Sequence, residues 1–411
     1  MDFSDTPEEA AYREEVRAWL RSNAPTSSMR VAHGYENEQS IASDKAWQAR
    51  KAGAGYACIT WPVEWGGGGG TPVQEIIFRE EESKLGIGSA IFGLGLGMCI
   101  PTILTAGSDA DKARFVRPAM RGEEIWCQLF SEPSSGSDVA ASRTRAVRAG
   151  DGSGDWIIDG QKVWTSGAHF SDFGLLLART DPDVPKHKGL TMFWVDMKAP
   201  GIDIRPIHQA DGGYGFNEVY FSGVRLKDGQ RVGDVGRGWN VALVTLMNER
   251  LSVGGASGPD WRALMGLAAE IPGFEGRGSV LGDGGFRQRL ADYYVADEAL
   301  RLTRLRSLTA LSRGETPGPE ASIGKLVAAR QMQDLAFEAL DRLDRYGIIA
   351  NENAAGAIGG FQRNFFWGSA MRIAGGTDEI LKNIIAERVL GMPAEIRVDR
   401  DVAFKDISGS A

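Results

Sequence analysis

The chain has 411 residues, of which 43% are hydrophobic and 24% charged, with a formal net charge of -8. At about 150 residues per domain this length points to two or three domains with sizeable cores, and the composition excludes a disordered chain. The acidic balance argues against a general nucleic-acid binder, and no run of about 18 apolar residues marks a membrane span.

In chain order, the first predicted element is a helix. Thr6 is its N-cap, Pro7 sits at the first helical position and Glu9 completes a capping box, with Ala11, Val16, Trp19 and Leu20 as the apolar stripe. Helices are predicted again from Gln74 to Lys84 and from Asp109 to Met120, and the Gly66–Gly70 run reads as a loop after Trp61-Pro62. From Trp126 to Leu226 the pattern becomes strand-like. Trp156–Ile158 and Gln161–Trp164 flank Asp159-Gly160, the signature of a hairpin turn, and 173–178, 190–195, 202–207 and 219–226 read as further short strands. Such a series makes a compact barrel or sandwich. Long helices return at 239–253, 287–312, 321–343 and 377–390, which suggests an antiparallel four-helix bundle. The fold class is therefore α+β: an N-terminal helical domain over 1–124, a middle β domain over 125–235, a C-terminal helical bundle over 236–394 and a polar tail over 395–411.

Several chemistries are disfavoured. The four histidines, His33, His169, His187 and His208, have no metal-ligand spacing, so no metal is expected. Cys58, Cys99 and Cys127 are scattered and odd in number, which suits a reducing compartment better than a disulfide framework. The stretch MDFSDTPEEAAYREE lacks the basic and apolar regions of a signal peptide, so a cytoplasmic location is expected. Glycine is abundant, 54 residues, but follows no period, which excludes collagen-like and solenoid architectures.

Four segments remain as candidates for chemistry. Gln128-Leu129-Phe130-Ser131-Glu132-Pro133-Ser134-Ser135-Gly136-Ser137-Asp138 is rich in small hydroxyl residues; it reads either as a solvated turn or as a loop whose N–H and O–H groups bind a polar heterocycle or phosphate. Lys162-Val163-Trp164-Thr165-Ser166-Gly167 offers a core aromatic, or an aromatic wall beside a flat cofactor with donors next to it. Asn248-Glu249-Arg250 interrupts an apolar helix with either a structural ion pair or a general base. In Gly375-Gly376-Thr377-Asp378-Glu379, two glycines precede a helix cap, an ordinary loop or a place where a ligand meets backbone and a helix N-terminus.

Together, Ser131-Glu132-Pro133, Gly136-Ser137-Asp138, Trp164-Thr165-Ser166, Phe216-Asn217-Glu218-Val219 and Gly375-Gly376-Thr377-Asp378-Glu379-Ile380 resemble, in order and separation, the acyl-CoA dehydrogenase family of flavoproteins. The resemblance runs from the Trp61-Pro62 turn to Arg388. It implies a middle β-barrel, a bound FAD, an acyl-CoA substrate, an electron-transfer flavoprotein as acceptor, and a homodimer or homotetramer. It places Gln128, Phe130, Ser131, Gly136, Ser137, Trp164, Thr165, Ser166, Thr377 and Glu379 at the cofactor, and Ser137, Arg250 and Gly376 at the substrate. Many members carry the catalytic glutamate where Gly375 stands here; Gly375 keeps only its backbone N–H for the thioester carbonyl. A branch similar to isovaleryl-CoA dehydrogenase carries the base on the earlier helix, which implies Glu249. The small residues Gly254, Gly255 and Ala256 leave room for a branched or ring-bearing acyl group, or serve helix packing. Two other readings keep the fold: an oxidase passing electrons to oxygen, and a non-catalytic subunit of a mixed assembly.

Overall fold

The structure is a computed structural model that describes residues 5–25, 36–85, 87, 90–253, 258–312, 318–319, 321–349 and 358–407. The chain divides into two compact units, Met1–Glu249 with Glu395–Ala411, and Arg250–Ala394.

The first unit begins with α1 (Pro7–Asn23), whose Thr6–Glu9 capping box forms as expected. It buries Val16 and Leu20 with Trp47, Ile59 and Phe78. Helix α2 (Glu38–Gly53) had no clear signal, because Ser40, Ser43 and Asp44 dilute its apolar stripe. Helix α3 (Pro72–Lys84) starts two residues before the expected point, at a Thr71 cap. The Gly66–Gly70 run is a loop folded against the backbone of Ile59 and Trp61, which accept N–H groups from Gly70 and Gly69. A Cβ at Gly67 would collide with the Trp61 carbonyl, so the glycines there serve close packing. Helices α4 (Ile100–Ala106) and α5 (Asp109–Met120) follow.

Eight strands form one sheet among the described residues. They are β1 (Trp126–Leu129), β2 (Arg145–Arg148), β3 (Trp156–Ser166), β4 (Phe173–Arg179), β5 (Leu190–Asp196), β6 (Ile202–Ile207), β7 (Phe216–Leu226) and β8 (Arg231–Val232). Their order is β6-β7-β3-β2-β4-β5-β8, with β1 parallel to β4. Strand β4 is buried on both faces. Leu176 and Ala178 join one apolar core with Phe193 and Val219, while Leu175 and Leu177 join another with Ile103 and Phe115. That two-sided burial explains its unbroken apolar run.

The Asp159-Gly160 hairpin is not formed. Strand β3 runs through it, and both flanks pair with the same strand, Trp156 opposite Leu226 and Ser166 opposite Phe216. The dipeptide instead sits at a register shift, a β-bulge between Ile158 and Gly160. Glycine is required there because a Cβ would lie 2.6 Å from Thr144 Oγ1.

Helix α6 (Gly238–Val253) places Val241 and Ala242 in the core of the first unit, and its Thr245 hydroxyl bonds Thr102. The second unit contains α7 (Trp261–Glu270), α8 (Gly284–Ser312), α9 (Ala321–Leu343), α10 (Ile358–Met371) and α11 (Asp378–Arg388). Its core gathers Leu264, Ala268, Phe286, Leu335, Ala339 and Phe361. Helix α10 carries Gly359, Gly360 and Gly368, which hid it from sequence reading. Gly368 earns its place by close approach: a Cβ there would stand 3.0 Å from Gln333 on α9. No helix among the described residues is long and apolar enough to cross a membrane.

Candidate active site

In the first unit, the site grows from the end of β1 and the end of β3. Gln128 is half-buried on β1. Phe130 packs its ring into the apolar core, so its contribution toward a ligand is backbone. The Phe130 carbonyl accepts from Lys162 Nζ at 2.9 Å, and the Ser131 carbonyl accepts from Val163 N–H at 2.9 Å. These bonds bring the Ser131–Asp138 loop beside Trp164-Thr165-Ser166. The loop is closed by Glu132 and Ser135, which exchange backbone hydrogen bonds. Gly136 and Ser137 are exposed at its tip.

Trp164 sits at the second register shift of β3 with φ of +58°, a left-handed conformation unusual for a bulky residue. The bulge turns its indole outward, 58% exposed and edge-on to Phe216. Strain of this kind persists where the surroundings hold it, and it accompanies binding sites. Thr165 faces inward and Ser166 is half-buried. Two hydroxyls here, Ser135 Oγ and Thr165 Oγ1, are buried without a hydrogen-bond partner. Buried polar atoms are normally satisfied, so these two fit a flat polar heterocycle brought against the loop and strand end.

Sequence reading missed the pair that holds this arrangement. Lys162 is fully buried and bonds Glu132 Oε1 at 2.7 Å; Glu132 also accepts the N–H groups of Arg143 at 2.6 Å and Thr144 at 2.9 Å. Burial raises the Glu132 carboxyl, but Lys162 and those N–H groups outweigh it and hold it below the usual range. Burial pushes the Lys162 ammonium down, against the pull of Glu132. The signal was a lysine at an inward position of an alternating strand, alongside Trp156 and Ile158. Asn217, also fully buried, donates to the Thr165 carbonyl and fixes the strand end.

Glu249 and Arg250 lie on α6, and their side chains fall outside the described residues, as do Gly254, Gly255 and Ala256 entirely. In the second unit, Gly375 and Gly376 are consecutive left-handed residues, with φ of +65° and +92°. Only glycine takes both without strain. Thr377 caps α11 by accepting the Ile380 N–H, and Glu379 is exposed in the first turn. The turn is fixed from two sides: Lys325 Nζ donates to the Gly376 carbonyl at 2.6 Å, and Arg372 bonds Asp378 at 2.7 Å.

Comparison with known proteins agrees with this fold. Family models for the N-terminal, middle and C-terminal domains of acyl-CoA dehydrogenase match residues 6–123, 127–224 and 236–390. Acyl-CoA dehydrogenase FadE34 of Mycobacterium tuberculosis is 38% identical over 84% of this chain, which spans only 46% of that protein. Acyl-CoA dehydrogenase IpdE1 of Mycolicibacterium smegmatis is 34% identical, over 94% of this chain and 98% of its own. Among solved structures, the Tcur3481-Tcur3483 steroid ACAD matches with a TM-score of 0.81 at 26% identity, over 96% of this chain and 100% of that one. The chain belongs to the acyl-CoA dehydrogenase family, FAD-dependent oxidoreductases of lipid metabolism.

Proposed function

We propose that this chain oxidises an acyl-CoA thioester to its trans-2-enoyl-CoA, with Glu249 as the base that takes the α-proton. The supporting observation is the β3 bulge, which holds Trp164 outward at a positive φ, with an unsatisfied buried hydroxyl on the next residue, Thr165, and another on Ser135 in the neighbouring loop. FAD held there would supply the acceptor for the hydride of the β-carbon. The protein supplies the rest. An α-proton beside a thioester is too weakly acidic for a carboxylate in water, so the carbonyl oxygen must be polarised as charge develops on it. Gly375 has a backbone N–H for this role, in a turn that Lys325 and Asp378 hold still. Glu249, closed off by an acyl chain, gains a pKa better matched to the proton it removes. Gln128, Phe130, Ser131, Gly136 and Ser137 would line the cofactor from the loop and Trp164, Thr165 and Ser166 from the strand; the family resemblance assigns Thr377 and Glu379 to the cofactor as well. Ser137, Arg250 and Gly376 would face the substrate.

Likeness to a steroid ACAD supports a ring-bearing acyl group. The family resemblance implies an electron-transfer flavoprotein as acceptor. The three free cysteines suit the cytoplasm. The proposed domain bounds are 1–124, 125–235 and 236–394, with a final segment over 395–411, in a homodimer or homotetramer. A second reading, a subunit of a mixed assembly, is favoured by that relative's paired name. The test is an anaerobic absorbance titration with straight, branched and ring-bearing acyl-CoAs. One of them should bleach the flavin band. Glu249→Gln should bind it yet reduce the flavin at least ~10²-fold more slowly, the range for loss of a general base. A colourless protein, or bleaching unaffected by the substitution, would overturn the assignment.

A further inference from the structure

The Glu395–Ile407 segment returns to the first unit and docks behind the Ser131–Asp138 loop. Phe404 N–H donates to the Val184 carbonyl at 2.9 Å, Lys405 N–H to the Pro182 carbonyl at 3.0 Å, and Ala403 bridges Pro185. Phe404 is buried over the guanidinium of Arg179, 3.7 Å from the ring centre. Arg179 is itself 4% exposed and donates to the carbonyls of Ala140, Ser142 and Lys186, two of which lie in the turn that ends the loop. Beside it, one ammonium joins the two segments: Lys186 Nζ lies 2.6 Å from Asp138 in the loop and 2.6 Å from Asp399 in the returning segment.

We propose that this C-terminal segment is a latch on the Ser131–Ser142 loop, with Lys186 the positioning residue that couples them. The functional half rests on the proposed acyl-CoA reading, in which Gly136 and Ser137 meet the ligand. Each contact alone is modest, since Asp138 is half-exposed. The coupling is not modest, because both carboxylates depend on one cation. Without it Asp138 and Asp399 would stand within about 5 Å of each other as like charges, so loss of Lys186 drives the segment off as well as releasing it. Among the described residues the latch forms no hydrogen bond or ion pair with Trp164, so it acts on the site through the loop.

The test compares the full-length wild type with Lys186→Met, Lys186→Arg, Asp399→Asn and Phe404→Ala. Amide hydrogen exchange should rise about tenfold in residues 133–142, as well as in 399–407, in the methionine and alanine variants. Lys186→Arg, which keeps the charge, should restore wild-type exchange. Free coenzyme A, the part shared by all acyl-CoAs, should bind about tenfold more weakly to Lys186→Met by calorimetry, and Lys186→Arg should restore it. A loss of coenzyme A binding that Lys186→Arg does not restore would overturn the positioning claim. Unchanged exchange at 133–142 in both Phe404→Ala and Asp399→Asn overturns the latch, even should Lys186→Met fail to fold. If the wild type binds no coenzyme A, the proposed function fails, and the exchange experiment still decides the latch.

Discussion

Replacing Lys162 by methionine removes the ammonium from the centre of the first unit while keeping the length of the side chain. The variant leaves the Glu132 carboxylate, 6% exposed, without its ammonium partner, held chiefly by the N–H groups of Arg143 and Thr144. It also takes a donor from the Phe130 carbonyl. Breaking a buried pair from one side costs about 3–5 kcal/mol, and the two surviving N–H bonds place this case near the lower end, about 3 kcal/mol. An effect of that size should lower the melting temperature of the first unit by about 6–12 °C. The partner test is Glu132→Gln combined with Lys162→Met, in which neither member of the pair is left charged and alone. The double variant should recover about 2 kcal/mol relative to Lys162→Met, a coupling measurable by urea unfolding followed by circular dichroism. Because the pair also carries Ser131 toward Trp164, FAD binding should weaken in the single variant and partly return in the double. A Lys162→Met variant that loses less than about 1 kcal/mol, with no recovery in the double, would refute the argument that this ion pair holds the loop.

Trp164→Gly should stabilise the protein by about 1 kcal/mol, since glycine takes a positive φ without strain, yet weaken FAD binding in a fluorescence titration; a stability loss would show that the indole is core. Gly376→Ala should destabilise the second unit by about 1–2 kcal/mol in thermal unfolding, through its φ of +92°. Acid should loosen the α1–α3 contact first. Burial opposes ionisation of Glu81, but Arg17, Lys84 and Arg13 outweigh it and bring its pKa to about 2. A depressed carboxyl contributes its full stability above its unfolded value of 4.5 and loses it as pH falls from there toward 2. Unfolding followed over that window should show the loss, and Glu81→Gln should flatten it.

What the sequence revealed was largely what is local. The Thr6-Pro7-Glu9 cap, the 109–120 helix and the 321–343 helix each carry their own start signal or a long apolar stripe, and each forms with those bounds. The strands Trp126–Leu129 and Arg145–Arg148 have four residues apiece, too few for a period to emerge. Asp159-Gly160 misled because a bulge and a hairpin demand the same glycine; only the partner strand decides between them. The motifs around Ser131, Trp164 and Thr377 stood out as candidates through their family resemblance. Their supports did not, because Lys162–Glu132 and Lys186–Asp399 join residues 30 and 213 positions apart.

The division of the chain also bears on how the protein is made. The first unit is discontinuous, interrupted by the whole of Arg250–Ala394. On a ribosome adding about 5–20 residues per second, the Arg179 face waits on the order of ten seconds after α6 is synthesised before Phe404 can cover it. Arg179 already has three backbone carbonyls to satisfy it, so the unfinished unit holds no orphaned charge in the meantime. The sheet is thus able to set early and be covered late, after the intervening helices have been translated.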